Sequence, residues 1–432
     1  MHRFVAAHLV RDPTLPVVSP GVVDVVGDRV VWSGPLDEAP AFDGPVTTLP
    51  GVVTPGLVNT HAHTAMILLR GTGEGLPTDR WLVEVMWPRE GRLDGDDVAA
   101  AMRLGATELL LNGITTSNEM YFFGAEVASA AAEVGLRCVV TSPVIEAADF
   151  AKFGSVADQL ARLAQLRSDW DGHPLIEIGI GPHAAYSLSR SALESVASFV
   201  ADDPMLLHIH VAEQPHEGDA ILDATGLTVP AYLDEIGLLG PRTVAAHCVW
   251  LTDDDVDRFA GRGVKVAHCP CSNGRHASGI APVQTMLDAG ITVGLGTDGP
   301  ASHDRLDLFE NMRAASWYAR IDGRDASAMS ARRVFAMATT EAAAVLGRDD
   351  LGRLTPGARA DLVHFDVTDS TFEPVFDHDQ YVERLVWAAG RRSVRDVWVG
   401  GRQVVRDGAC STVDTAAVRQ DAVARARRLV RG

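Results

Sequence analysis

Lysine is nearly absent from this 432-residue chain. Lys152 and Lys265 are its two lysines, and arginine supplies the other basic side chains. Positive charge is scarce overall: 38 basic residues stand against 57 acidic ones, a formal charge of −19. So acidic a surface repels polyanions, and neither a nucleic-acid polymer nor an anionic membrane is an expected partner. Aromatic residues make up 6%, which leaves Ala, Val and Leu to fill the core. The five cysteines, Cys138, Cys248, Cys269, Cys271 and Cys410, are odd in number and follow no disulfide-scaffold spacing. A reducing cytoplasm is therefore the expected location. No apolar run reaches ~18 residues, so no membrane-crossing helix is expected. The stretch after Met1-His2-Arg3-Phe4 is broken by Asp12 and Pro13 and lacks a signal-peptide core.

With 47% apolar and 22% charged residues, the chain can bury a large core. Both ends read as β-rich. Val22 to Val26 and Arg29 to Trp32 flank the tight-turn pair Gly27-Asp28, and Val394 to Val399 and Arg402 to Val405 flank Gly400-Gly401. Residues 358–366 read as a further strand. The middle alternates. Strands are expected at 56–63, 113–118, 137–143, 175–183, 205–211, 243–248, 264–269 and 291–297. Helices are expected at 96–111, 123–135, 155–168, 189–201, 252–261 and 305–319. Eight strands, most followed by a helix, predict an α/β fold of the (β/α)8, or TIM, barrel type over 55–350. Segments 1–54 and 351–432 are expected to join as a small β-sandwich domain, with 414–432 as a surface helix.

In such barrels chemistry sits at the C-terminal strand ends. His61 and His63 end the first expected strand, His183 the fourth, His247 the sixth and His268 the seventh. His208 and His210 lie on the fifth, and Asp298 follows the eighth. An i, i+2 pair on a strand points both side chains to one face, so His61 with His63, and His208 with His210, can each address the barrel lumen. Glu213 follows His210 where strand turns to loop, a place for a proton-transferring carboxylate. Asp298 lies in Gly294-Leu295-Gly296-Thr297-Asp298-Gly299, where glycines let backbone and ligand approach closely. Two or three histidines with one aspartate suit Zn²⁺ or Fe²⁺ with an open position for water. Such an ion lowers the pKa of its water toward neutrality.

These residues resemble the amidohydrolase superfamily, and within it the cytosine deaminase and triazine hydrolase branch. The resemblance runs over nearly the whole chain. It is carried by Pro55-Gly56-Leu57-Val58-Asn59-Thr60-His61-Ala62-His63, Ala246-His247-Cys248, His268-Cys269-Pro270 with Ser272-Asn273, and Gly296-Thr297-Asp298-Gly299 with Ala301-Ser302. It implies one divalent cation, zinc first and iron second, held by His61, His63, His210 and Asp298. It makes Glu213, His247 and Asp298 catalytic and His208 structural. Two-metal relatives use a lysine on the fourth strand. Leu175 to His183 has none, in keeping with a single ion.

The nearest subgroup deaminates 5′-methylthioadenosine, S-adenosylhomocysteine and adenosine. It is matched by Arg80-Trp81-Leu82, Trp87-Pro88-Arg89-Glu90 and Gly181-Pro182-His183. The resemblance implies that Glu90 accepts the ribose hydroxyls, Trp81 packs on the 5′ substituent, and His183 and His247 lie at the base. The expected function is hydrolytic deamination of an adenosine-type nucleoside with release of ammonia, by a protein that is often dimeric in this branch. The alternatives are an aminodeoxyfutalosine deaminase of menaquinone biosynthesis, a guanine, pterin or triazine hydrolase, and, last, a metal-free scaffold. The chain also departs from the subgroup. Val140 to Gly154 lacks the arginines that receive the carboxylate of S-adenosylhomocysteine, offering only Lys152. His303-Asp304 replaces a usual pair of asparagines, and His276 stands where leucine is usual.

Overall fold

The computed structural model describes residues 1–431. The chain opens with strands β1 (His2–Leu9), β2 (Gly21–Val26), β3 (Arg29–Pro35) and β4 (Val46–Pro55). Eight more follow: β5 (Leu57–Ala62), β6 (Ile114–Glu119), β7 (Arg137–Val144), β8 (Ile176–Pro182), β9 (Leu207–Val211), β10 (Thr243–His247), β11 (Lys265–His268) and β12 (Val293–Leu295). The last four are β13 (Leu362–Phe365), β14 (Val394–Val399), β15 (Arg402–Arg406) and β16 (Ala409–Cys410).

Strands β5 to β12 form one parallel sheet in chain order. It closes where the Asp298 N–H donates to the His61 carbonyl (3.0 Å) and Ala62 bridges to Asp298. Closure needs glycine: a Cβ on Gly296 would sit 2.8 Å from the His61 Cβ, and one on Gly294 2.5 Å from the Thr60 Cγ2. Side chains alternate across the barrel wall. Ile209, Ala245 and Val266 join the outer core against the helices. Val244, Ala246 and Ala267 pack inside with Ala342, Val345 and Leu346, where the helix Thr340–Val345 plugs the bottom. His208 pairs in register with Val244, and His210 with Ala246. Both histidines therefore share the inward face, as the period of two requires.

The other sheet runs β16-β15-β14-β13-β4-β1-β2-β3. It folds over on itself, since the Val30 N–H donates to the Ala358 carbonyl just ahead of β13 (2.9 Å). Phe4, Leu9, Val25, Leu49, Leu362 and Trp398 fill the space between the layers. A buried ion pair ties this sheet to the barrel. Arg137, at the start of β7, reaches both carboxylate oxygens of Asp361 (3.1 Å each). The tail helix Thr415–Arg431 lies on the helix Gly95–Leu111, where Arg425 and Arg428 pair with Asp97. Among the described residues no helix is long and apolar enough to cross a membrane.

Candidate active site

The wide mouth at the C-terminal strand ends holds one cavity. Eight of the nine candidate residues line it: His63, Trp81, Glu90, His183, His210, Glu213, His247 and Asp298. The ninth, His61, lies beneath them, its ring 4.7 Å from that of His63. Backbone strain concentrates on this rim. Ala212, His247, Cys248 and Asp298 all have positive φ without being glycine, a conformation kept only where the surroundings enforce it.

Hydrogen bonds fix the histidine tautomers. His63 Nδ1 is 2.6 Å from the Met120 carbonyl oxygen, and His210 Nδ1 is 2.6 Å from that of His183. A carbonyl only accepts, so each Nδ1 carries the proton and each neutral Nε2 presents a lone pair. The two Nε2 atoms nevertheless face each other at 3.2 Å. His61 Nε2 is buried with no partner. Asp298 Oδ1 lies 3.3 Å from His61 Nε2 and 3.5 Å from His63 Nε2. Three imidazole nitrogens and a carboxylate oxygen converging in this way are the donor set of a divalent cation, and these residues fit one. Burial pushes His61 down to about 3, so it is neutral. Asp298 turns Oδ1 toward the His61 and His63 nitrogens. Its other oxygen accepts from Ser272 Oγ (2.6 Å) and Ser302 Oγ (2.9 Å). His208 stands behind the site, with Nε2 2.8 Å from His61 Nδ1 and Nδ1 3.2 Å from Thr141 Oγ1.

Glu213 and His247 face each other across the floor, with 3.9 Å between Oε2 and Nε2. The His247 Nδ1 proton goes to Asn273 Oδ1 (2.9 Å), leaving Nε2 for the cavity. Burial lowers the pKa of His247, yet the Glu213 and Asp298 charges outweigh it and the net direction is up. Thr78 Oγ1 donates to Glu213 Oε1 (3.0 Å). Glu90 is buried, which raises its pKa, and accepts from the Tyr121 hydroxyl (2.8 Å). His183 is pushed down to about 3 by burial and contacts Ser187 Oγ through Nδ1 (3.0 Å).

Sequence reading missed the residues that hold these groups. Asn273 lay in a recognised motif but had no assigned role. Thr78 carried no signal. Neither did Glu217, whose carboxylate accepts the backbone N–H groups of Ala212 (2.9 Å), Glu213 (2.6 Å) and Gln214 (3.4 Å). Lys152 does not reach the cavity: its ammonium is spent on the Gly91 and Leu93 carbonyls.

An eight-stranded barrel that gathers three imidazoles and a carboxylate beside an acid/base pair is the frame of a hydrolytic enzyme. The chain belongs to the amidohydrolase family, whose sequence profile matches residues 52–404. It is 42% identical to a 5′-deoxyadenosine deaminase of Methanothermobacter thermautotrophicus, over 72% of this chain and 73% of that one. It is 41% identical to a 5-methylthioadenosine/S-adenosylhomocysteine deaminase of Natronomonas pharaonis, over 88% of this chain and 87% of that one. The fold superposes on an adenosine deaminase from Xanthomonas campestris with bound zinc at a TM-score of 0.93 and 31% identity, covering 100% and 99% of the two chains.

Proposed function

We propose that this protein is a hydrolytic deaminase of an adenosine-type nucleoside, and that residues 55–350 carry the reaction while 1–54 and 351–432 brace the barrel. The observation that carries the reading is the cavity itself. Three of the four cation donors, two proton-transfer groups, a buried carboxylate at Glu90 and an indole at Trp81 line one cavity. The relatives' names point the same way.

His61, His63, His210 and Asp298 would hold one ion, with zinc favoured by the zinc in the Xanthomonas campestris structure. When bound, the ion makes water acidic enough to deprotonate near neutral pH. Asp298 takes the proton from the attacking water. Glu213, fixed by Thr78, donates a proton to the ring nitrogen beside C6, which makes that carbon electrophilic. His247, oriented by Asn273, donates to the oxygen that gains charge as water adds to C6. Asp298 returns its proton to the amino group, the hydroxyl proton of the adduct restores Glu213, and ammonia leaves, giving the 6-oxo purine. Glu90 accepts from the ribose hydroxyls, His183 faces the base, and Trp81 covers the 5′ end. Five unpaired cysteines suit a reducing cytoplasm.

Ammonia release from adenosine, 5′-deoxyadenosine and 5′-methylthioadenosine by the zinc-loaded protein tests the reading. Turnover that falls about 10²-fold or more in Glu213→Gln is expected. No turnover of any aminopurine nucleoside, or full activity in that variant, refutes it.

A further inference from the structure

The departures from the family pattern do not all reach the cavity. Asp304 accepts the Gly71 N–H (3.0 Å) and pairs with Arg275, which also holds Glu74 (2.6 Å). His303 contacts the Arg305 carbonyl (3.0 Å). These residues pin loops together at the rim, and none of them lines the cavity.

His276 does line it. The side chain is 5% exposed, and its ring lies 4.8 Å from that of Trp81. Its Nδ1 is 3.1 Å from the Leu76 carbonyl oxygen, so Nδ1 carries the proton. In the neutral ring Nε2 is then a bare acceptor. That atom is buried and has no partner, a costly state for a polar atom. The protein has no proton to spare nearby. The Thr78 hydroxyl is committed to Glu213, and the Gln214 amide to Thr78 (2.7 Å) and Ser278 (2.5 Å). The cavity lining also contains no lysine or arginine, so nothing there would hold an acidic tail. The occupant beside Trp81 and His276 should therefore be neutral and bring its own donor.

We infer that His276 determines specificity by accepting a hydrogen bond from a hydroxyl at the 5′ end of the nucleoside. The preferred substrate class is then an adenine nucleoside with a free 5′-hydroxyl, not a 5′-deoxy or 5′-alkylthio one. The inference rests on the deaminase reading above and on Trp81 marking the 5′ end. A leucine at this position could only pack there, which would suit an apolar 5′ group.

The test compares kcat/KM on adenosine, 5′-deoxyadenosine and 5′-methylthioadenosine for zinc-loaded wild type, His276→Leu and His276→Gln. Wild type should favour adenosine over 5′-deoxyadenosine by about tenfold, the scale of one neutral hydrogen bond. His276→Leu should erase that ratio and gain on 5′-methylthioadenosine. His276→Gln, which keeps an acceptor, should retain part of it. Calorimetric binding of inosine against 5′-deoxyinosine should show the same ordering without turnover. A wild-type preference for either 5′-deoxygenated substrate, or a ratio unmoved in both variants, overturns the assignment and leaves the deaminase reading standing. Absence of turnover on any aminopurine nucleoside overturns the reading beneath it.

Discussion

Replacing Glu217 with alanine should cripple an enzyme whose catalytic side chains are all still present. The Glu217 carboxylate collects three successive N–H groups of the loop that carries Glu213, two at 2.9 and 2.6 Å and one at 3.4 Å. Ala212, at the start of that loop, is held at a φ of 51° by this bond and by the Val249 and Trp250 N–H groups on its carbonyl, so releasing its N–H removes one of its restraints. Above about pH 7, where Glu217 is charged, each hydrogen bond to it contributes roughly 1.5–3 kcal/mol. The two short ones thus give about 3–6 kcal/mol, of which water recovers part at this half-buried site. If about 2 kcal/mol reaches the placement of Glu213, kcat/KM falls about 30-fold. The group also titrates in a useful range. Burial, and then the Glu213 charge, push Glu217 up to about 7 from an ordinary 4.5. A carboxyl raised in the folded state adds stability that is full below about pH 4.5 and is lost as pH rises through about 7. Urea unfolding of wild type should therefore weaken between pH 5 and pH 8 by at most about 3 kcal/mol, and Glu217→Gln should lack that component. The reasoning fails if Glu217→Ala keeps kcat/KM within twofold of wild type, or if Glu217→Gln shows the same pH dependence of unfolding.

Removing one partner of a buried ion pair strands the other, so Arg137→Ala should cost about 3–5 kcal/mol of stability by leaving Asp361 unpaired; denaturant titration measures it, and a loss under 1 kcal/mol would contradict the bracing role. Metal-stripped protein should melt higher on adding zinc, because an ion that binds only the folded state stabilises it. His61→Ala, which removes an unpartnered donor, should abolish the shift and lower bound zinc measured by elemental analysis; an undiminished shift would place the ion elsewhere.

Much of the barrel was legible because its signals are local. Each of the eight expected strands has an observed counterpart, with ends that differ by at most about two residues: 291–297 becomes Val293–Leu295 because Gly296 and Thr297 belong to the closing turn. The i, i+2 histidines were legible for the same reason, since a period of two survives without knowledge of the neighbours. Strand β4 was not read. Pro50 and Gly51 sit in its middle and look like breakers, and the strand persists because β1 and β13 pair with it on both sides. The helical turns over 78–90 were not read either: they are short and carry Pro88, yet they bring Trp81 and Glu90 over the mouth. The supports at Thr78, Asn273 and Glu217 depend on loops meeting in space. Glu217, within Pro215-His216-Glu217-Gly218-Asp219, looks like any solvated acid until the Ala212 turn folds back over it.

The pairing of β4 with β13 has a consequence for the chain as it is being made. Pro55 lies opposite Leu362, about 300 residues later. A ribosome adding 5–20 residues per second leaves that edge of β4 waiting roughly 15–60 s for its neighbour. Throughout that interval the nascent N-terminal strands present an open edge to other chains, and the barrel must assemble behind them. Crowded expression should therefore aggregate this protein through its first 55 residues, and a lower concentration of nascent chains or a chaperone that shields that edge should rescue it.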